Sequence, residues 1–121
     1  MKPLSQTQLS NFLKRFNDFK DAELRSLEII SATQIKLSLA AQNSARDFDW
    51  ISLSFLFTDV TDASLVQNSK LPLIDLNDGI SIIMTNNEFA FAIGACYNID
   101  SIKNSICYVI SKSIKYQESS F

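Results

Sequence analysis

Chemistry in a protein without histidine has to come from carboxylates, thiols, hydroxyls or amines, and this chain of 121 residues contains no histidine. Histidine supplies most general acid–base work near neutral pH and is the commonest metal ligand. Its absence rules out Ser-His-Asp, Cys-His and H-E-x-x-H arrangements. The chain has two glycines, and neither G-x-x-x-x-G-K-[ST] nor G-x-G-x-x-G occurs, so phosphate is not cradled by either loop. A pair of carboxylates can hydrolyse a glycosidic bond unaided by histidine, which draws attention to Asp47, Asp49, Asp59, Asp62, Asp75, Asp78 and Asp100. All of them fall in segments that read as turns, where aspartate is common because its side chain bonds the local backbone. Asp75-Leu76-Asn77-Asp78-Gly79 holds a fragment of a calcium-loop spacing and reads as a turn. Cys96 and Cys107 belong to no C-x-x-C pair and read as small buried hydrophobes. No catalytic residue, metal site or cofactor is expected.

Trp50 points to binding instead. It opens a stretch in which Ile51, Leu53, Phe55 and Phe57 alternate with Ser52, Ser54, Leu56 and Thr58. The alternation assigns the core to the odd positions and leaves Trp50 on the wetter face with the serines. A tryptophan there, flanked by Asp47 and Asp49, is suited to anchor an interface. The acidic Asp59 and Asp62 extend a negative surface that would steer a basic partner. The competing expectation is structural: an N-terminal helix or a long loop covers Trp50.

The elements that would position these residues follow from hydrophobic spacing. Leu9, Phe12, Leu13 and Phe16 recur at i, i+3, i+4 and i+7, which predicts an amphipathic helix over 5–16, with Ser5 as N-cap after Pro3 and a stop at Asn17-Asp18. From Glu23 the pattern turns to strand, clearest where Ile35, Leu37, Leu39 and Ala41 alternate with Gln34, Lys36, Ser38 and Ala40. The loop from Asn43 to Asp49 is too short for a helical crossover, so the strands on either side pair as an antiparallel hairpin. Residues 59–79 read as edge strands and turns. Ile80 to Thr85 and Glu88 to Ile93 flank Asn86-Asn87, whose side chains tolerate positive φ, and form a second hairpin with Phe89, Phe91 and Ile93 inward. Residues 94–105 read as a loop. A last strand runs from Ile106 to Tyr116 with a bulge near Ser111 to Ser113, and a polar tail over 117–121 frays.

Composition sets the frame. Hydrophobic residues make up 46% of the chain, including nine phenylalanines, enough for one domain over 1–121 with one core. Eleven basic and thirteen acidic residues give a net charge of −2, and the basic ones are scattered. Nucleic-acid binding needs clustered Lys and Arg to neutralise phosphate, so it is not expected. No apolar run reaches the ~18 residues of a membrane span, and the N-terminus lacks the continuous apolar core of a signal peptide. The cytoplasm is the expected location.

Phe16-Asn17-Asp18 after a short helix, the run Trp50-Ile51-Ser52-Leu53-Ser54-Phe55-Leu56-Phe57, Asp78-Gly79-Ile80-Ser81 and the strand around Ile106 to Ile114 together resemble a family of small bacterial domains, some of them immunity proteins of toxin systems. Members often carry histidine at the position of Asn17, which this chain does not. The resemblance implies a non-enzymatic protein that binds and neutralises one cognate toxin, with no catalytic residues to carry over. The expected fold is α+β, with a short N-terminal helix packed on a curved, mainly antiparallel sheet of about six strands. The expected function is protein binding, with Asp47, Asp49, Trp50, Asp59 and Asp62 facing the partner. The alternative is a small-ligand carrier whose Phe-rich interior, including Phe55, Phe57, Phe89 and Phe91, encloses an apolar pocket. An exposed edge strand would also allow homodimerisation.

Overall fold

The helical stripe at the N-terminus forms a helix: α1 spans Gln6–Arg15, burying Leu9 and Phe12 on one side. This is a computed structural model, and it describes residues 1–120. Ser5 occupies the N-cap position, but its hydroxyl contacts the Thr7 hydroxyl (3.1 Å) rather than a backbone N–H. The helix ends in a left-handed turn in which Asn17, Asp18 and Phe19 all have positive φ (53°, 56° and 59°). That conformation costs a non-glycine residue about 1–2 kcal/mol. Here the fully buried Phe19 ring, stacked on Phe16 at 4.9 Å, offsets the cost. Gly79 permits the close approach, since a Cβ there would lie 2.0 Å from the Asp18 carbonyl oxygen.

Seven strands form one antiparallel sheet: β1 (Lys2–Pro3), β2 (Glu23–Ser31), β3 (Gln34–Asn43), β4 (Asp49–Ser64), β5 (Ile80–Thr85), β6 (Glu88–Ile93) and β7 (Tyr108–Ser120). Their order is β2-β3-β4-β7-β6-β5, with β1 beside the C-terminal half of β7. The α+β expectation holds. On the front face, Leu37, Leu39, Leu53, Phe55, Phe57 and Phe91 share one core with Leu9 and Phe12 of α1, and Phe12 lies 5.9 Å from Phe55 and 4.8 Å from Tyr116 between ring centroids. On the back, α2 (Ile99–Lys103) covers β6 and the start of β7 only, packing Ile102 and Cys96 on Ala90, Ala92 and Ile110. The rest of the back face is open.

Several expectations need correction. Residues 59–64 are no turn; they complete the 16-residue β4. Asp49, Asp59 and Asp62 therefore lie in a strand, and Asp100 lies in α2 rather than in a turn. Residues 65–79 contain a 3₁₀ segment, Asn68–Leu73, and no strand. The loop expected over 94–105 contains α2, whose start is a capping box between Asn98 and Ser101. Ile106 is exposed and precedes the strand. The tail does not fray at Gln117, because Gln117 to Ser120 pair with Ser54 to Ile51 on β4; Phe121 lies outside the described residues. Among the described residues, no helix is long and apolar enough to cross a membrane. The Asn86-Asn87 hairpin is as expected, with φ of 51° and 62°.

Candidate protein-interaction surface

The β3–β4 hairpin ends in a 3₁₀ turn, Ser44–Arg46, followed by Asp47 and Phe48, both at positive φ (53° and 63°). A left-handed conformation is tolerated by aspartate but is unusual for a bulky aromatic. Its effect is to turn Phe48 outward, 60% exposed, two residues before Trp50, which is 37% exposed.

This tip is held from below. The buried Asn43 side chain accepts hydrogen bonds from the Ala45 N–H (3.0 Å) and from Arg15 Nε (3.1 Å), and the Asn43 main-chain carbonyl accepts from the Phe48 N–H (2.9 Å). The Ser44 hydroxyl donates to the Arg15 carbonyl at 2.8 Å. Arg15 in turn forms a salt bridge with Glu118 on β7, and its guanidinium sits 4.8 Å from the Phe16 ring centroid. One side chain at the end of α1 thus ties the helix, the hairpin turn and the C-terminal strand together. Charge-assisted bonds of this kind are stronger than neutral ones.

Beside the tip lies the open back face. Lys36, Ser38, Ala40 and Gln42 on β3 stand opposite Leu56, Ser54, Ser52 and Trp50 on β4, and Lys115, Gln117 and Ser119 follow on β7. Serines occupy its middle, where the Ser38 and Ser54 hydroxyls bond each other at 3.1 Å. Trp50 belongs to this face, whereas α1 packs on the other, so the helix does not cover it.

The structure gathers part of the expected site. Asp47, Asp49 and Trp50 are together at the tip, paired through Asp49 with Asn43 and Trp50 with Gln42. Among the described residues neither of these carboxylates is in a salt bridge. Asp59 and Asp62 are not part of this surface. They lie nine and twelve residues beyond Trp50 along an extended strand, about 30–40 Å away at the usual rise of roughly 3.3 Å per residue. Asp59 has φ of 54° just before the register shift between Val60 and Asp62. The Asp62 carboxylate accepts from the Tyr108 hydroxyl (3.1 Å) and meets Lys103 Nζ at 3.8 Å. Partial burial, then the Asp62 hydrogen bond and charge, push the Tyr108 phenol above its ordinary value. Burial likewise raises the thiols of Cys96 and Cys107, partly offset by hydrogen bonds involving Ser101 and Val66 respectively.

Phe48 and Arg46 belong to the tip and were not singled out by spacing. The available signal was an aromatic residue inside a polar loop, between two aspartates. No family model, curated protein or solved structure matches this chain.

Proposed function

We propose that this chain is a non-enzymatic cytoplasmic protein-binding domain that neutralises a partner in the manner of an immunity protein, using the β3–β4 tip as its contact. The observation that carries the reading is the outward pair Phe48 and Trp50, presented on a turn whose backbone is held by Asn43 and Arg15. Aromatic anchors held in advance in their binding geometry spare an interface much of its ordering cost. Asp47 and Asp49 beside them favour a partner with a basic surface around an apolar pocket. The interior supports this over the carrier alternative: Phe55, Phe57 and Phe91 fill it with ring centroids 5.2–6.4 Å apart.

The test is affinity capture from a lysate of the native organism, using wild type, a Phe48→Ala/Trp50→Ala variant, an Asp47→Asn/Asp49→Asn variant and an Asp59→Asn/Asp62→Asn variant. The expected result is one basic protein retained at unit stoichiometry by wild type and by the Asp59/Asp62 variant. The aromatic variant should weaken it about thirtyfold, the effect of losing a hot spot worth roughly 2 kcal/mol. Equal capture by all four proteins would remove the tip from the interface, and capture of nothing by wild type would remove the reading.

A further inference from the structure

The two edges of the sheet are built differently. Edge strand β2 carries Glu23, Arg25 and Glu28 along its length. At Leu27 its outward backbone is already satisfied, because Asn68 Oδ1 accepts from the Leu27 N–H (2.7 Å) and Asn68 Nδ2 donates to the Leu27 carbonyl (2.9 Å). One side-chain amide thus takes the place of a neighbouring strand there. Charges and blocked backbone groups are the usual means of keeping an edge from pairing with another chain.

Edge strand β5, Ile-Ser-Ile-Ile-Met-Thr, has no charge and no proline. Its partner β6 follows through a two-residue turn, and the Gly94 N–H donates to the Gly79 carbonyl at 2.9 Å. Antiparallel pairs alternate between bonded and non-bonded positions, so residues 81, 83 and 85 bond inward to β6. Ile80, Ile82 and Met84 direct their N–H and C=O groups outward. Among the described residues no side chain or loop takes up these groups.

This edge is also recessed. Ile80 and Ile82 are each only 3% exposed although they lie on the outermost strand. Their edge forms the floor of a groove of about 400 Å³, with Leu13, Asp18 and Lys20 on the front side and Ala95, Cys96 and the 85%-exposed Tyr97 on the back. Asp78 also lines it at the Ile80 end, and Asp21 and Asp75 lie on the same two loops. Among the described residues none of these four aspartates is in a salt bridge, and Lys20 is the only cation lining the groove. Unpaired backbone groups partly sheltered from water favour a partner that supplies the missing hydrogen bonds.

From these observations we infer that β5 is a docking edge for an extended segment of another protein, which adds as an eighth strand in the groove and places a Lys- or Arg-bearing end against Asp18 and Asp78. The occupant is a slender single strand rather than a second copy of this chain, because a second recessed edge cannot reach the first past the walls formed by α1 and Tyr97. The site lies across β4, β7 and β6 from the β3–β4 tip, so it stands or falls independently of the tip contact.

The probe is a labelled, end-capped synthetic peptide, Lys-Lys-Val-Thr-Val-Thr-Val, followed by fluorescence anisotropy and by amide hydrogen exchange of the full chain. Binding should slow exchange at the N–H groups of Ile80, Ile82 and Met84. Replacing both lysines with glutamate should weaken it about tenfold or more at low salt. Methylating alternate peptide amides should abolish binding for one set and spare it for the other, which a purely electrostatic contact would not do. Asp18→Asn/Asp78→Asn should weaken the lysine peptide while leaving β2 exchange unchanged. The inference is overturned by no binding of the peptide at millimolar concentration, by protection confined to β2 or to the hairpin tip, or by methylation of either set having equal effect. A mass of twice the chain in light scattering, with Ile80, Ile82 and Met84 protected in the absence of peptide, would replace the proposed occupant with a second copy and overturn it equally.

Discussion

The two faces of strand β4 share one backbone and differ in nearly everything else. Toward the front, Leu53, Phe55 and Phe57 are fully buried under α1 and the Phe16–Phe19 turn. Toward the back, Trp50, Ser52, Ser54 and Leu56 stand on an open surface. The front face holds the fold together through aromatic packing. The back face contributes little to that packing, which leaves its composition free to serve recognition, and the tip at its end carries the exposed aromatics. Arg15 joins the two, since it is the last residue of the helix that covers the front and holds the turn that projects from the back.

The largest effect expected is on the front face. Phe55→Ala removes a ring in contact with Phe12, Phe19, Phe57 and Phe91 and should lower stability by about 3–5 kcal/mol, read as a shifted urea midpoint. A loss under 1 kcal/mol would show that the front face is not the stabilising one. Arg15→Ala should cost about 1–2 kcal/mol, because Glu118 and Asn43 each lose a charged partner. It should also loosen the tip, seen as faster amide exchange at Ala45 and Phe48; unchanged exchange there would separate the tip from the helix.

Trp50→Ala should cost much less stability than Phe55→Ala, because Trp50 is 37% exposed and Phe55 fully buried, while reducing partner capture. A stability loss comparable to that of Phe55→Ala would place Trp50 in the packing and erase the contrast between the faces. The smallest effect concerns Tyr108, at the far end of β4. Its phenol is raised above the ordinary value of about 10, so the folded state holds that proton longer than the unfolded state does. The associated stability is complete below the unfolded value and is lost as pH rises through the folded one. Absorbance at 295 nm, taken as the difference between wild type and Tyr108→Phe, should show a transition above pH 10 that falls in Asp62→Asn. No shift in that variant would sever the link between the two residues.

Much of the fold could be read from local pattern. The strand alternation at Ile35 to Ala41 and Ile51 to Phe57, the helical stripe and the Asn86-Asn87 turn are each properties of a few neighbouring side chains, and each occurs in place. The candidate site was only half legible. Trp50 with Asp47 and Asp49 could be proposed because the strand period assigned their face. Asp59 and Asp62 were grouped with them as acidic turn residues, but the strand runs on through both because β7 pairs with it as far as Ser64. Polar residues in a strand give no local sign of where pairing ends.

What the sequence by itself determined is the set of faces: which side of each strand is apolar, where the helix lies and where the chain turns back. The tertiary structure alone decided which faces and edges stay uncovered. Whether a strand edge is blocked by Asn68 or left open at Ile82, whether Phe48 points outward and whether α2 reaches the far half of the back face all depend on residues distant in the chain. The reason is that side-chain period is a local property of the backbone, whereas coverage is settled by long-range pairing and packing.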